Sequence, residues 1–166
     1  MKIRRAELSD FEVYKTLFVE DEADMLYRPQ KSDIKPQKED AKDWFCFDEE
    51  TLKRIHDELE RTEMKFKRDL ENFREHRIYL LENTKQVMGF FELFNCGSYR
   101  WKLAYCGFTK NYQNQGDFNE AVQLLASQNG IKAIDVCVVY KSCERRMERA
   151  GFTSIGGGFY RIEAKK

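Results

Sequence analysis

The sequence predicts an α+β protein built on a mixed sheet. Three observations carry this: helical periodicity near the N terminus and again over 48–77, three successive apolar segments of strand composition between 77 and 108, and an alternation of amphipathic and strongly apolar stretches after them. With 166 residues, 42% of them hydrophobic, the chain can bury one core of ordinary size, so a single domain over 1–166 is expected.

"KIRRA" at the start is a short strand. "SDFEVYKTLF" follows as a helix, with Ser9 as N-cap, Glu12 as its capping-box partner, and Phe11, Tyr14, Leu17 and Phe18 on one face. Residues 19–48 hold both prolines, Pro29 and Pro36, and read as a long loop. Its aromatic stretch "DWFCF" (43–47) either packs back on the body or walls a substrate pocket. From Asp48 to about Arg77 a single stripe of Leu52, Ile55, Leu59, Phe66, Leu70 and Phe73 predicts one long second helix, with its repeat broken near Thr62. A coiled-coil homodimer is open on that stripe.

"RIYLLEN" (77–83), "QVMGFFELF" (86–94) and "RWKLAYCGF" (100–108) are rich in β-branched and aromatic residues and are separated by turn-like segments, which predicts an antiparallel meander. A helix with Phe118, Ala121, Val122 and Leu125 on one face then runs to a cap at Gly130. "IKAIDVCVVY" (131–140) is apolar enough for a central strand. "SCERRMERAGF" gives a short helix closed by Gly151, and the C-terminal stretch gives one or two more strands.

Lys plus Arg and Asp plus Glu both number 29, so no global field draws the chain to nucleic acid or to an anionic membrane, and neither partner is expected. Cys46, Cys96, Cys106, Cys137 and Cys143 form no CxxC pair, and an odd count fits a reduced, cytoplasmic setting better than a disulfide scaffold. His56 and His76 lie far apart, which gives a metal site little support. "GGG" at 156–158 lacks the strand-turn-helix context of a dinucleotide fingerprint.

The resulting order, β-α-α-β-β-β-α-β-α-β, together with local motifs, resembles the GCN5-related N-acetyltransferase (GNAT) superfamily across about the whole chain. "VMGFFEL" (87–93) is similar to its third strand, "QNQGDF" after Tyr112 to its acetyl-CoA loop, "NEAVQLL" (119–125) to the helix that follows, and "MERAGF" (147–152) to its closing motif. The resemblance implies a GNAT-like acyl-CoA N-acyltransferase fold, with acetyl-CoA as co-substrate and a small-molecule or peptide amine as acceptor. Pantetheine would meet the main chain of Cys106, Gly107 and Phe108. The N–H groups of Gln113, Asn114, Gln115, Gly116, Asp117, Phe118 and Asn119 would hold the pyrophosphate at a helix N terminus, where unpaired donors and the helix dipole favour an anion.

The same resemblance asks for a base and for an acid that protonates the departing thiolate. Met147 stands where many members carry a tyrosine and cannot donate a proton. Tyr140 is the nearest substitute, and Cys143, grouped with the cofactor-binding residues, is a second. Glu92 is the candidate base, on one strand face with Phe90 and Phe94, and Tyr105 is placed in the same cleft. Asp117 and Phe118 depart from the loop pattern, so a non-catalytic or impaired GNAT-fold protein that binds a nucleotide, an acyl carrier or a protein partner is the alternative.

Overall fold

The computed structural model describes residues 1–17, 62–109, 111–112, 118–138 and 141–164. Expectations for Phe18, the 19–48 loop with its aromatic stretch, 48–61, 113–117 and Tyr140 fall outside them. The described elements are β1 (Lys2–Arg5), a 3-10 turn (Leu8–Asp10), helix α1 (11–17), α2 (Glu63–Glu71), β2 (His76–Glu82), β3 (Val87–Asn95), β4 (Arg100–Phe108), α3 (Phe118–Ala126), β5 (Ala133–Cys137), α4 (Lys141–Arg149), β6 (Thr153–Gly156) and β7 (Phe159–Glu163).

All seven strands form one sheet in the order β1-β2-β3-β4-β5-β7-β6. Pairing is antiparallel from β1 to β4, parallel between β4 and β5, and antiparallel again beyond. Alternation along the strands sends apolar residues to both faces. Ile78, Leu80 and Phe90 pack with Phe11, Tyr14 and Leu17 of α1 and Phe66 of α2 on one face. Tyr79, Leu81, Phe91, Leu93, Trp101 and Leu103 pack with Ala121, Val122 and Leu125 of α3 on the other, where Met147 is also buried. The sheet is thus covered on both sides, as residues apolar at consecutive strand positions require.

Two helix expectations are corrected. Thr62 is extended (φ −100, ψ 152), and its hydroxyl accepts from the Lys65 N–H, so α2 begins at Glu63 and stops at Glu71 instead of running through to Arg77. A threonine that caps the chain behind it cannot also continue a helix from 48. Phe73 is consequently half exposed, and the described part of the stripe is too short for a coiled coil. Nor is Ser9 an N-cap: the turn begins at Glu7, whose N–H donates to Asp10 Oδ2 at 2.8 Å.

Arg4 fixes that turn to the sheet. Its guanidinium donates to both Asp10 oxygens, at 2.7 and 2.8 Å, and to Glu82 Oε2 at 3.0 Å. The hydrogen bonds from Arg4 hold the Asp10 carboxyl below its ordinary value of 3.8, against the opposing effect of burial. A depressed folded value means stability that is present above about pH 4 and is lost as pH falls through the folded value. Asp10→Asn should therefore unfold at lower urea concentration than the parent at pH 7, and the difference should close as the pH is lowered below 4. A gap independent of pH would show that the ion pair contributes nothing.

Candidate active site

The β2–β3 hairpin builds the first part of the site. Asn83 Oδ1 accepts from the N–H groups of Lys85 and Gln86, fixing a tight turn. The register that follows sets His76 opposite Phe94 and Ile78 opposite Glu92. His76 and Glu92 therefore share the face covered by α1 and α2. Glu92 is fully buried and His76 is 5% exposed.

Three groups converge on them. Tyr14 of α1 donates its hydroxyl to Glu92 Oε2 at 2.8 Å. His76 Nε2 lies 2.9 Å from Glu92 Oε1, and His76 Nδ1 lies 3.5 Å from Asp69 Oδ1 of α2. The Nε2 contact is short but not aligned as a hydrogen bond. The His76 ring stacks on Phe94, with centroids 4.3 Å apart. Tyr105 of β4, half-buried on the same face, is the cross-strand partner of Glu92. Glu92 is thus a buried carboxylate that faces Tyr105 across the β3–β4 pairing.

The ligand atoms of Asp69, His76 and Glu92 all lie within 4.8 Å of one another, a clustering that the spacing of the two histidines did not reveal. The carboxylates approach opposite ring nitrogens, whose in-plane directions diverge.

The second part of the site is the parting of β4 from β5. Glu92 pairs with Tyr105 but Leu93 with Leu103, so Ala104 is an extra residue in β4. A bulge bends its strand and sharpens the local twist. The described pairing with β5 runs from Arg100↔Ala133 to Leu103↔Val136 and ends at the bulge, while β4 continues to Phe108. Cys106, Gly107 and Phe108 lie on β4 beyond its last described pair with β5.

Gly89 shapes the end of that segment. A Cβ at this position would come within 2.3 Å of the Phe108 ring and 2.7 Å of Gly107 O, so only glycine lets Phe108 lie across β3. There Phe108 stacks on Tyr112 at 5.2 Å and meets Phe118 edge-on at 6.0 Å. One ring thus braces both residues flanking 113–117. Asn119 follows in α3, and Met147 sits in the core, 8% exposed, removed from any proton-transfer role. Sequence reading missed Tyr14 as a donor, and Asp69 and His76 entirely. Of the predicted catalytic residues the structure brings Glu92 and Tyr105 together. Tyr140 and the loop 113–117 lie outside the described residues, as does the Cys143 side chain.

A seven-stranded mixed sheet whose described β4–β5 pairing ends at a β4 bulge, ahead of a helix, has the GNAT-like fold that solved structures share. A RimL ribosomal L7/L12 α-N-protein acetyltransferase in complex with coenzyme A superposes with a TM-score of 0.60 at 15% identity, over 98% of this chain and 93% of that one. An acetyltransferase from Thermus thermophilus gives 0.60 at 12% identity, covering 98% and 97%. A spermidine N-acetyltransferase chimera of Vibrio cholerae SpeG and hSSAT gives 0.57 at 14%, covering 98% and 96%. Neither a protein-family model nor a curated protein matches the sequence. No helix among the described residues is long and apolar enough to cross a membrane.

Proposed function

We propose that the protein is a cytoplasmic N-acetyltransferase that moves an acetyl group from acetyl-CoA to a primary amine. The observation that carries this reading is the end of the described β4–β5 pairing at the Ala104 bulge while β4 runs on to Phe108, beside a buried Glu92 contacted by Tyr14 and His76. A diverging strand suits the amides of pantetheine, which add to it as another strand would. The N-terminal end of α3 suits the pyrophosphate.

In this reading the amine nitrogen attacks the thioester carbonyl carbon, the C–S bond breaks, and the sulfur leaves as a thiolate. Glu92 takes the proton of the ammonium through water in the cleft, with Tyr105 lining the approach. Tyr140 returns a proton to the thiolate, since Met147 has none to give, and is reprotonated by the second proton that the nitrogen sheds as the amide forms. The acceptor is a small amine, an amino acid or a peptide N terminus. A polyamine and a ribosomal-protein N terminus are the acceptors named for two of the similar structures.

Acetyl-CoA at about 100 times its dissociation constant should stabilise the fold by roughly 2.7 kcal/mol and raise Tm by roughly 5–10 °C. Thiol release from acetyl-CoA is then measured across polyamines, amino acids and a peptide. The full burial of Glu92 favours a second reading, a GNAT-fold protein that binds an acyl-CoA or a protein partner without turnover. Stabilisation without thiol release would select that reading. No stabilisation and no release would remove both acetyl-CoA readings.

A further inference from the structure

Glu92, His76 and Asp69 form a chain that becomes progressively more open: their side chains are 1%, 5% and 18% exposed. At 2.9 Å a bare imidazole lone pair and an ionised carboxylate oxygen repel, so the His76–Glu92 pair must hold at least one proton. Where that proton resides is set by what surrounds the ring. Asp69 waits at Nδ1, and an imidazole meets ionised carboxylates at both nitrogens favourably only when both carry hydrogen. Whether the proton sits on the ring or on Glu92 the cluster holds one negative charge, but the Tyr14 hydroxyl, which donates to Glu92 Oε2, favours the ionised carboxylate and so the imidazolium. Phe94, stacked 4.3 Å away, adds a face that attracts a cation.

We propose that Asp69 and His76 are a positioning pair for Glu92: Asp69 retains His76 as an imidazolium, and the imidazolium keeps the Glu92 carboxylate ionised and fixed to receive a proton. The inference rests on Glu92 serving as base. His76 touches no reacting atom and acts only through Glu92. Tyr14 completes the arrangement by donating to the other oxygen, so the carboxylate is held from two sides. When Glu92 accepts the proton of the ammonium, the resulting carboxylic acid is neutral and the imidazolium remains balanced by Asp69. Among the described residues, the ionisable and charged groups facing this cluster are Tyr14 from α1, Arg68 and Asp69 from α2, Glu92 from β3 and Tyr105 from β4.

The experiment has two arms. The chain has only two histidines, so replacing His56 with Asn leaves one imidazole for nitrogen-15 NMR. Both ring nitrogens should carry protons at neutral pH, and Asp69→Asn or Glu92→Gln should each change that pattern. A neutral ring in the parent overturns the proposal. In the kinetic arm, His76→Gln and the milder Asp69→Asn should each lower kcat about tenfold to a hundredfold, the size of one close charge contact. Both should leave the KM for acetyl-CoA unchanged and move the acid limb of the pH profile, which a loss of packing alone would not do. An active parent whose variants keep the parental pH profile overturns the positioning pair and leaves the acetyltransferase reading standing. A parent that acetylates no amine overturns both. Stoichiometric zinc in the purified protein, lost in His76→Gln, would replace the pair by a metal centre.

Discussion

Glu92→Gln should lower kcat by about a hundredfold or more while leaving acetyl-CoA affinity within about twofold, the signature of a lost general base. The substitution keeps the size of the side chain, and an amide oxygen can still accept from the Tyr14 hydroxyl 2.8 Å away. What disappears is the capacity to take up a proton. Because Glu92 is fully buried, a fold check belongs beside the rate: the variant should unfold cooperatively and within about 3 kcal/mol of the parent, since removing one partner of a buried charged contact costs on the order of 3–5 kcal/mol only when the other charge is left without compensation. Here Asp69 remains beside His76. Turnover equal to that of the parent would exclude Glu92 as the base and return attention to Tyr105.

Gly89→Ala should be the most damaging single methyl group in the sheet. The added carbon would meet the Phe108 ring at 2.3 Å and the Gly107 carbonyl at 2.7 Å, and the latter is backbone. Overpacking of this kind costs roughly 1–3 kcal/mol, which for a chain of this length lowers Tm by roughly 2–4 °C per kcal/mol. Acetyl-CoA affinity should fall as well, because the displaced ring would release its contacts with Tyr112 and Phe118. Phe108→Leu in the same chain should recover part of the stability but not the affinity. Additive effects of the two substitutions would show that Phe108 and Gly89 are not in conflict.

The strand part of the fold was legible because the pattern was strong. β4 was expected at 100–108 and is found there, and β2 and β3 shift by one residue. The helix over 48–77 misled because its stripe of leucines and phenylalanines is periodic on both sides of Thr62, and periodicity carries no information about a side chain that caps its own backbone. Glu92 was found through its neighbours Phe90 and Phe94. His76 would have been within reach of the same reasoning but for a bulge: a turn centred on 83–86 pairs 78 with 91, and only the extra residue Met88 brings 78 opposite 92 and sets 76 along the same face as 92. Asp69 and Tyr14 were out of reach, since which helix residue faces which strand residue depends on packing between distant segments. The Ala104 bulge leaves no trace in composition. Only the register of the assembled sheet shows it.

The strand pairing at the N terminus bears on how the protein assembles itself. β2, β3 and β4 are joined by short turns and can pair early, whereas β1 finds β2 only after closing a chain in which Arg4 and Glu82 stand 78 positions apart. Helix α1 travels with β1, and Tyr14 is on it. The hydroxyl that donates to Glu92 is therefore expected to arrive with the segment that joins last. A chain whose sheet is otherwise complete but whose N terminus has not docked would carry a finished scaffold around a carboxylate that still lacks one of its donors.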